Sequence, residues 1–219
     1  MTPRFRSIPL LSVAPVALIC ATLAVAAPTA SRSDHVPRLN ARQLAFHDGM
    51  RKLWEDHITW TRLAIVSFAA GAPDLPATET RLLQNQTDIG NAVKPFYGRA
   101  AGNRLTALLK DHILGAVALL QAAKAGDQTM IKQRSDEWYA NGRQIADFLH
   151  KANPHHWPRA DLRAMMKTHL DQTLDEATHR LTGNFTADIR DYEHIHRHIL
   201  EMADMLSGGI IAQFPHRFR

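Results

Sequence analysis

Cysteine is nearly absent from this chain of 219 residues: Cys20 is the only one, and it lies in an apolar run near the N-terminus. The residues that precede it, 17–19 (ALI), do not fit a lipoprotein signal. If the N-terminal segment is removed, the mature protein contains no cysteine. Disulfides, a thiolate nucleophile and thiolate metal ligands are then excluded.

Beyond its N-terminal region the sequence also lacks a run apolar enough to suggest a membrane span. Two arginines in MTPRFR precede the apolar segment 8–27 (IPLLSVAPVALICATLAVAA), which ends in small residues. An uncleaved membrane anchor is the alternative, because the segment is nearly long enough to span a bilayer. Pro9, Pro15 and the Ala-Val-Ala ending favour cleavage. We therefore predict a signal peptide over residues 1–26 and an exported, periplasmic protein.

A strong charge of either sign is lacking as well. Cleavage removes two arginines and no acid, which lowers the formal net charge from +5 to +3. The remaining basic residues are dispersed, apart from the short basic tail 214–219 (FPHRFR), which we expect to be a frayed terminus. Nucleic acid is therefore not an expected partner. The composition leaves open an envelope protein or a small ligand as the binding partner.

Strand patterns are missing too. Residues 27–40 are polar and form a predicted linker, and beyond them alanine and leucine dominate. Apolar and polar residues do not alternate there, while glycine and proline fall in short clusters that predict helix ends. We therefore predict an all-α antiparallel helical bundle of six helices over 41–213. The predicted helices are 41–70, 77–94, 104–125, 128–151, 159–182 and 185–207.

The six predicted helices are three copies of one hairpin, at 41–98, 101–154 and 158–212. Each first helix contains a histidine fourteen residues before a glycine that ends the helix. The histidines are His57, His112 and His169, and the glycines are Gly71, Gly126 and Gly183. At the matching position, each second helix carries a polar residue between apolar neighbours; these residues are Asn85, Asn141 and His198. A period of about 56 residues indicates a repeated supersecondary unit.

These six polar residues are predicted to form one layer across the core. Two residues equally far from the turn of an antiparallel hairpin lie at the same depth. All six lie fourteen or fifteen residues from their turns, or about 21 Å at 1.5 Å per residue. His57 also belongs to an apolar stripe with the four-and-three spacing of a buried helix face. Because unpartnered buried polar groups are costly, the six should bind one another, water or a ligand.

Two interpretations of this polar layer remain open. In the first, neutral histidines and asparagines hydrogen-bond across the core and fix the register of the hairpins. In the second, the layer binds a metal ion, because His194 and His198 have the i, i+4 spacing that lets two imidazoles reach one ion, with His169 at the same depth. The other candidate ligands are His57, His112 and Asp204. Such ligands suit zinc, iron, copper or nickel.

Catalytic motifs are lacking: there is no phosphate-binding glycine loop, nucleophile elbow or haem-attachment motif. Glu176–His179 and Glu193–His196 are Glu-x-x-His motifs of the kind found in di-iron bundles, but their histidines differ in depth by about 13 Å. Binding of a metal ion or a small ligand at the polar layer is therefore favoured over catalysis. A structural or partner-binding envelope module is the alternative, and a metalloenzyme is the third possibility. The sequence leaves open whether His196 or His198 faces the layer.

Three segments carry a further signal: LWEDHxxWTR at 53–62, NQxDIGN with KPFYG at 85–98, and HILxMADML at 198–206. They resemble a family of uncharacterised bacterial exported helical-bundle proteins. The resemblance covers most of the chain after the linker. It implies a helical protein that is exported or associated with the envelope, and it implies no established activity.

Overall fold

The structure is a computed structural model that describes residues 39–219. The predicted signal peptide, and all but the last two residues of the predicted linker, lie outside the described residues. Every secondary-structure element within 39–219 is helical, which confirms the all-α prediction. The elements are α1 (Ala41–Ala70), α2 (Leu75–Ala125), α3 (Gln128–Ala152), α4 (Arg159–Leu181), α5 (Phe185–Gln213) and a short 3-10 helix, η1 (Pro215–Phe218).

Residues 39–219 contain five α-helices where six are predicted, because α2 includes both the second and the third predicted helix. The two parts of α2 meet at Gly98, whose φ of 84° and ψ of 167° are not helical. A Cβ added to Gly90 would lie 2.7 Å from the carbonyl oxygen of Gly102, so the two parts pack against each other. The chain therefore bends at Gly98. A single non-helical residue replaces the loop predicted there.

Local sequence determines where α1 begins and where α1 and α2 end. Asn40 Oδ1 accepts hydrogen bonds from the backbone N–H groups of Arg42 and Gln43, and Gln43 Oε1 accepts one from the N–H of Asn40. This reciprocal pattern is a capping box. Gly71 and Gly126 follow the last residues of α1 and α2 with φ of 64° and 71°. That left-handed conformation favours glycine at a helix end.

The α5 helix continues six residues beyond its predicted end at 207 and passes through Gly208 and Gly209. Gly209 is buried, and a Cβ at this position would lie 2.0 Å from the indole Nε1 of Trp157. This glycine therefore makes room for a ring from another segment and does not end the helix. The predicted end at 207 is wrong because the crossing of two segments is a tertiary feature that the local sequence does not reveal.

The chain terminus is packed, so the frayed tail expected at 214–219 is not observed. Phe218 is buried, with its ring centroid 5.2 Å from that of Phe46 and 5.5 Å from that of Phe96. Asn40 Nδ2 donates a hydrogen bond of 2.9 Å to the carbonyl oxygen of Phe218. Burying a phenylalanine contributes about 1.5–3 kcal/mol. This gain, together with the hydrogen bond from Asn40, helps to hold the short basic segment against the bundle.

The helices enclose one apolar core. α1 packs against α2, α4 and α5, and α3 packs against α2 and α4. Among residues 39–219, α2 is long and apolar enough to cross a membrane by length and composition alone, whereas no such segment was expected from the sequence. Helices buried in a protein core meet the same criterion. Length and composition therefore do not assign α2 to a membrane.

Candidate functional site

Three histidines from three helices meet in the core: His57 on α1, His112 on α2 and His169 on α4. The ring centroids of His57 and His169 are 5.8 Å apart, and those of His112 and His169 are 5.9 Å apart. None of the three residues is more than 4% exposed. The structure thus brings together the three histidines that the sequence places at equal distances from their turns. We call them the histidine layer.

Burial keeps these three imidazoles neutral at neutral pH. Burial, with a smaller contribution from the nearby His112, lowers the pKa of His57 to about 3. Burial likewise lowers the pKa of His112 to about 4. The pKa of His169 falls well below its ordinary value, first through burial and then through the neighbouring histidines. A neutral imidazole has one donor and one acceptor nitrogen, so the layer acts through hydrogen bonds and not through charge.

The polar residues predicted on the second helices all bind the backbone of the first helices. Each donates to the carbonyl oxygen of the residue four positions before a layer histidine. The three bonds are Asn85 Nδ2 to Leu53 O at 3.0 Å, Asn141 Nδ2 to Leu108 O at 3.1 Å, and His198 Nε2 to Met165 O at 3.0 Å. We call them the three bracing hydrogen bonds. Each holds a second helix at the depth of the histidine layer.

Side chains also fix the proton positions of two layer histidines. His112 Nδ1 lies 3.1 Å from Asn141 Oδ1, which can only accept, so His112 carries its proton on Nδ1. Gln86 Nε2 lies 3.2 Å from His57 Nδ1 and donates to it, so the proton of His57 is on Nε2. Trp138 stacks on His112 with a centroid distance of 5.2 Å, and its Nε1 donates to the His112 carbonyl oxygen at 3.0 Å.

Gln86 is a buried partner of the histidine layer that the sequence pattern does not predict. It is fully buried beside Asn85, and its amide nitrogen also donates to the Leu82 carbonyl oxygen at 2.9 Å. The internal repeat gives no signal for this residue, because the equivalent positions in the other hairpins are Gly142 and Ile199. The available signal was a glutamine directly next to a predicted layer position.

Two of the six candidate metal ligands lie elsewhere. His194 is exposed on α5. Asp204 binds Arg51 Nη1 through both carboxylate oxygens at 2.6 Å, and its Oδ1 lies 3.0 Å from His47 Nε2. Within residues 39–219, no group of three or more histidine, cysteine, aspartate or glutamate side chains is arranged to hold a metal ion. The predicted set of six ligands is therefore not assembled.

Among the fully buried side-chain atoms that have no hydrogen-bond partner within residues 39–219, one belongs to the histidine layer. His169 Nδ1 is buried and makes no hydrogen bond within residues 39–219. A buried unpaired polar atom costs about 1–3 kcal/mol. This nitrogen is therefore the atom of the layer that has most to gain from an additional ligand.

His196 does not face the histidine layer. Its Nε2 lies 3.3 Å from Glu55 Oε1, and its ring stacks on Tyr192 with a centroid distance of 5.9 Å. His198, in contrast, makes one of the bracing hydrogen bonds. The choice between the two residues, which the sequence left open, is therefore resolved in favour of His198.

A second buried cluster joins α1, α4 and α5, and we call it the arginine–carboxylate cluster: Arg62, Glu176, Arg180 and Asp188. Arg62 binds both carboxylate oxygens of Asp188, with Nη2 to Oδ2 at 2.8 Å, and its Nη1 lies 2.9 Å from Glu176 Oε1. Arg180 Nη1 lies 3.4 Å from Asp188 Oδ2. Both carboxylates are fully buried. Burial raises the pKa of Glu176 to about 7 even though Arg62 opposes this shift.

The Glu-x-x-His motifs do not form a paired site. Glu176 belongs to the arginine–carboxylate cluster, whereas His179 Nδ1 lies 2.5 Å from Asp191 Oδ2. Glu193 is exposed. The residues of the two motifs therefore do not converge on one site.

An apolar cleft of about 50 Å³ lies next to the histidine layer, between α1, α2, α3 and α4. Thr61 and Thr173 line it, and their hydroxyls already donate to the carbonyl oxygens of His57 and His169 at 2.8 Å. The cleft therefore offers mainly apolar surface. A cavity of about 150 Å³ is needed to hold a benzene ring, so this cleft is too small for a ring-sized ligand.

The fold and the site define a class of protein: an all-α helical bundle with a buried, neutral polar layer. No protein-family model, curated protein or solved structure matches this chain.

Proposed function

We propose that this protein is an exported binding module built from three repeated helix hairpins, and that the histidine layer holds these hairpins in register. In this proposal the layer is a hydrogen-bonded scaffold. Binding takes place on the outer helix faces, which the scaffold keeps in fixed positions. This proposal takes up the first of the two interpretations of the polar layer, in which its side chains hydrogen-bond across the core and fix the register of the hairpins.

The observation that carries the proposal is the recurrence of the bracing hydrogen bond. Apolar contacts tolerate a shift of one helix along another, whereas a buried donor does not. A shifted hairpin would leave an amide or imidazole N–H unpaired, at a cost of about 1–3 kcal/mol. Three such bonds at one depth therefore disfavour every shifted packing of the bundle. Buried polar residues have this role in other helical assemblies.

The turn glycines support the proposal of a repeat. Gly71, Gly126 and Gly183 have φ of 64°, 71° and 77°, and they follow one another at 55 and 57 residues. Each lies fourteen residues after a layer histidine. The same turn and the same partly buried hydrogen bond thus occur at one period along the chain.

The test compares Asn141→Leu with the control Asn103→Leu. Asn141→Leu removes a bracing bond and the partner of His112 Nδ1, so we expect the free energy of unfolding to fall by about 2–4 kcal/mol. Asn103 is exposed, and its replacement should change stability by less than about 0.5 kcal/mol. Urea unfolding measures both. If Asn141→Leu is as stable as Asn103→Leu, the layer does not hold the bundle in register.

A second candidate function is the binding of a zinc, iron, copper or nickel ion at His57, His112 and His169, although within residues 39–219 these side chains are not already arranged as a set of metal ligands. The specific observation that favours it is the unpartnered His169 Nδ1 next to two other neutral imidazoles. Neutral imidazoles are the form that ligates a metal. On this hypothesis added zinc or nickel raises the melting temperature of the wild type and leaves that of His169→Leu unchanged. A variant with the wild-type response would reject the layer as the site.

We further propose that the protein is exported and that residues 1–26 are removed. The support is the arginine-flanked apolar segment with its small-residue ending. Intact-mass measurement on the periplasmic fraction should give a chain that begins at Ala27. A chain that keeps Met1 and sediments with the membranes would indicate the uncleaved anchor.

A further inference from the structure

A groove of about 230 Å³ runs between α3 and α4, on the outside of the bundle. Met166 and Leu170 form its floor and pack against Gly142, where an added Cβ would lie 3.1 Å from Leu170 Cδ2. Gly142 and Leu170 directly follow Asn141 and His169, so the groove lies outside the polar layer at nearly the same depth. The layer therefore fixes the spacing of the two helices that form the groove.

The sides of the groove carry three cations: Arg143 on α3, and Arg163 and Lys167 on α4. Arg163 binds Asp147 through two hydrogen bonds of 2.9 and 2.7 Å, and Lys167 Nζ lies 2.6 Å from Asp171 Oδ2. These two cations are therefore neutralised by neighbours on or next to the groove.

Arg143 differs from the other two cations of the groove. It is exposed, and it forms no ion pair with any residue in the range 39–219. Tyr139 also lines the groove, and its hydroxyl donates a hydrogen bond of 2.6 Å to Asp171. The Asp171 carboxylate therefore has two partners, Tyr139 and Lys167. An apolar floor thus lies beneath one guanidinium whose charge is not neutralised.

We propose that this groove binds a small amphipathic anion: a carboxylate joined to an aromatic ring or to a medium-length alkyl chain. The guanidinium of Arg143 pairs with the carboxylate, because its planar fork of N–H donors matches two carboxylate oxygens. The apolar part of the ligand lies over Met166 and Leu170. The volume exceeds the roughly 150 Å³ that holds a benzene ring, and it leaves room for the ionic group.

The proposal goes beyond the scaffold role of the histidine layer by naming a ligand class for one outer face. It depends on that role only because α3 and α4 must keep their spacing. The variants that test it alter exposed side chains and leave the bracing hydrogen bonds in place. A failed binding experiment with a stable bundle would therefore reject the groove and leave the scaffold proposal unaffected.

The experiment titrates the mature protein with octanoate and follows the backbone amide signals by two-dimensional NMR. Octan-1-ol and octylammonium, which have the same chain with no charge or a positive charge, are the ligand controls. We expect saturable shifts at Gly142 and Leu170 with octanoate and much weaker ones with either control. We also expect the octanoate affinity to fall as salt is raised, because the charge pair is partly exposed.

The variant Arg143→Gln should weaken octanoate binding by about fivefold or more, because it removes the charged partner. Arg104→Gln is the matched control, since Arg104 is also exposed and makes no ion pair within residues 39–219. We expect it to bind as the wild type does. The proposal is overturned if octanoate gives no saturable shifts at the groove, if octan-1-ol binds equally well, or if the two variants bind octanoate equally.

Discussion

Lowering the pH from 8 to 5 should destabilise the fold through the histidine layer. In the unfolded chain a histidine has a pKa of about 6.5, whereas the folded-state pKa is about 3 for His57 and about 4 for His112. The folded state thus binds fewer protons than the unfolded state, so the stability contribution is complete above pH 6.5 and is lost as the pH falls towards the folded-state pKa. At pH 5 this loss is about 2 kcal/mol for each of the two, and His169 acts in the same direction.

Glu176 acts in the opposite sense. Its pKa is raised in the folded state to about 7, so the folded chain binds more protons than the unfolded chain between about pH 4.5 and 7. This group therefore stabilises the fold as the pH falls, by about 2–3 kcal/mol between pH 8 and 5. The replacement Glu176→Gln keeps the shape of the side chain and removes this opposing contribution.

The assay is urea unfolding at pH 8 and pH 5 of Glu176→Gln and of the double variant that also carries His57→Gln. The single variant should lose about 4 kcal/mol or more on acidification, and the double variant about 2 kcal/mol less. A difference in stability between either variant and the wild type at pH 8 does not affect the result, since the readout is the change in the free energy of unfolding between pH 8 and pH 5. Equal losses in the two variants, or no loss in the single variant, would refute the assignment of neutral buried histidines.

Two further predictions concern the packing of α5. Replacement of Asp188 by asparagine leaves Glu176 as the only carboxylate bound to Arg62, so we expect the free energy of unfolding to fall by about 3 kcal/mol; a loss below 1 kcal/mol in thermal or urea unfolding would contradict the buried ion pair. Gly209→Ala places a methyl group against Trp157 and should cost about 1–3 kcal/mol. Gly208→Ala, with no atom within 4 Å of its Cβ, should be neutral or stabilising by up to about 1 kcal/mol. Thermal unfolding of the two glycine variants shows whether these adjacent positions differ as expected.

The sequence predicts the helices because each is long and strongly punctuated. Gly71 and Gly126 both end helices as predicted, since the left-handed conformation there is a local property. The glycine positions 98 and 209 also predict helix ends, but in the structure these two glycines have different roles. One is a single bent residue inside α2, and the other makes room for a ring from a distant segment. Those roles depend on what packs nearby, which local patterns do not encode.

The same distinction applies to the site. The three layer histidines were predicted together because equal distances from the turns fix depth in a hairpin. His194 has the i, i+4 spacing from His198, but its side chain is exposed. Asp204 lies six residues beyond His198, which is about 240° around the helix. Neither side chain therefore joins the layer. The pairing of Arg62 with Glu176 and Asp188 spans 114 and 126 residues of sequence, and no local pattern indicates such a contact.

The central claim is that the histidine layer is a hydrogen-bonded scaffold. Elemental analysis tests it most directly, on mature protein purified without a histidine tag from cells supplied with trace zinc, iron, copper and nickel. If the layer is such a scaffold, we expect metal far below one ion per chain and a melting temperature that does not change when a chelator is added. Metal close to one ion per chain in the wild type, absent from His169→Leu, would contradict it and establish the layer as a metal site.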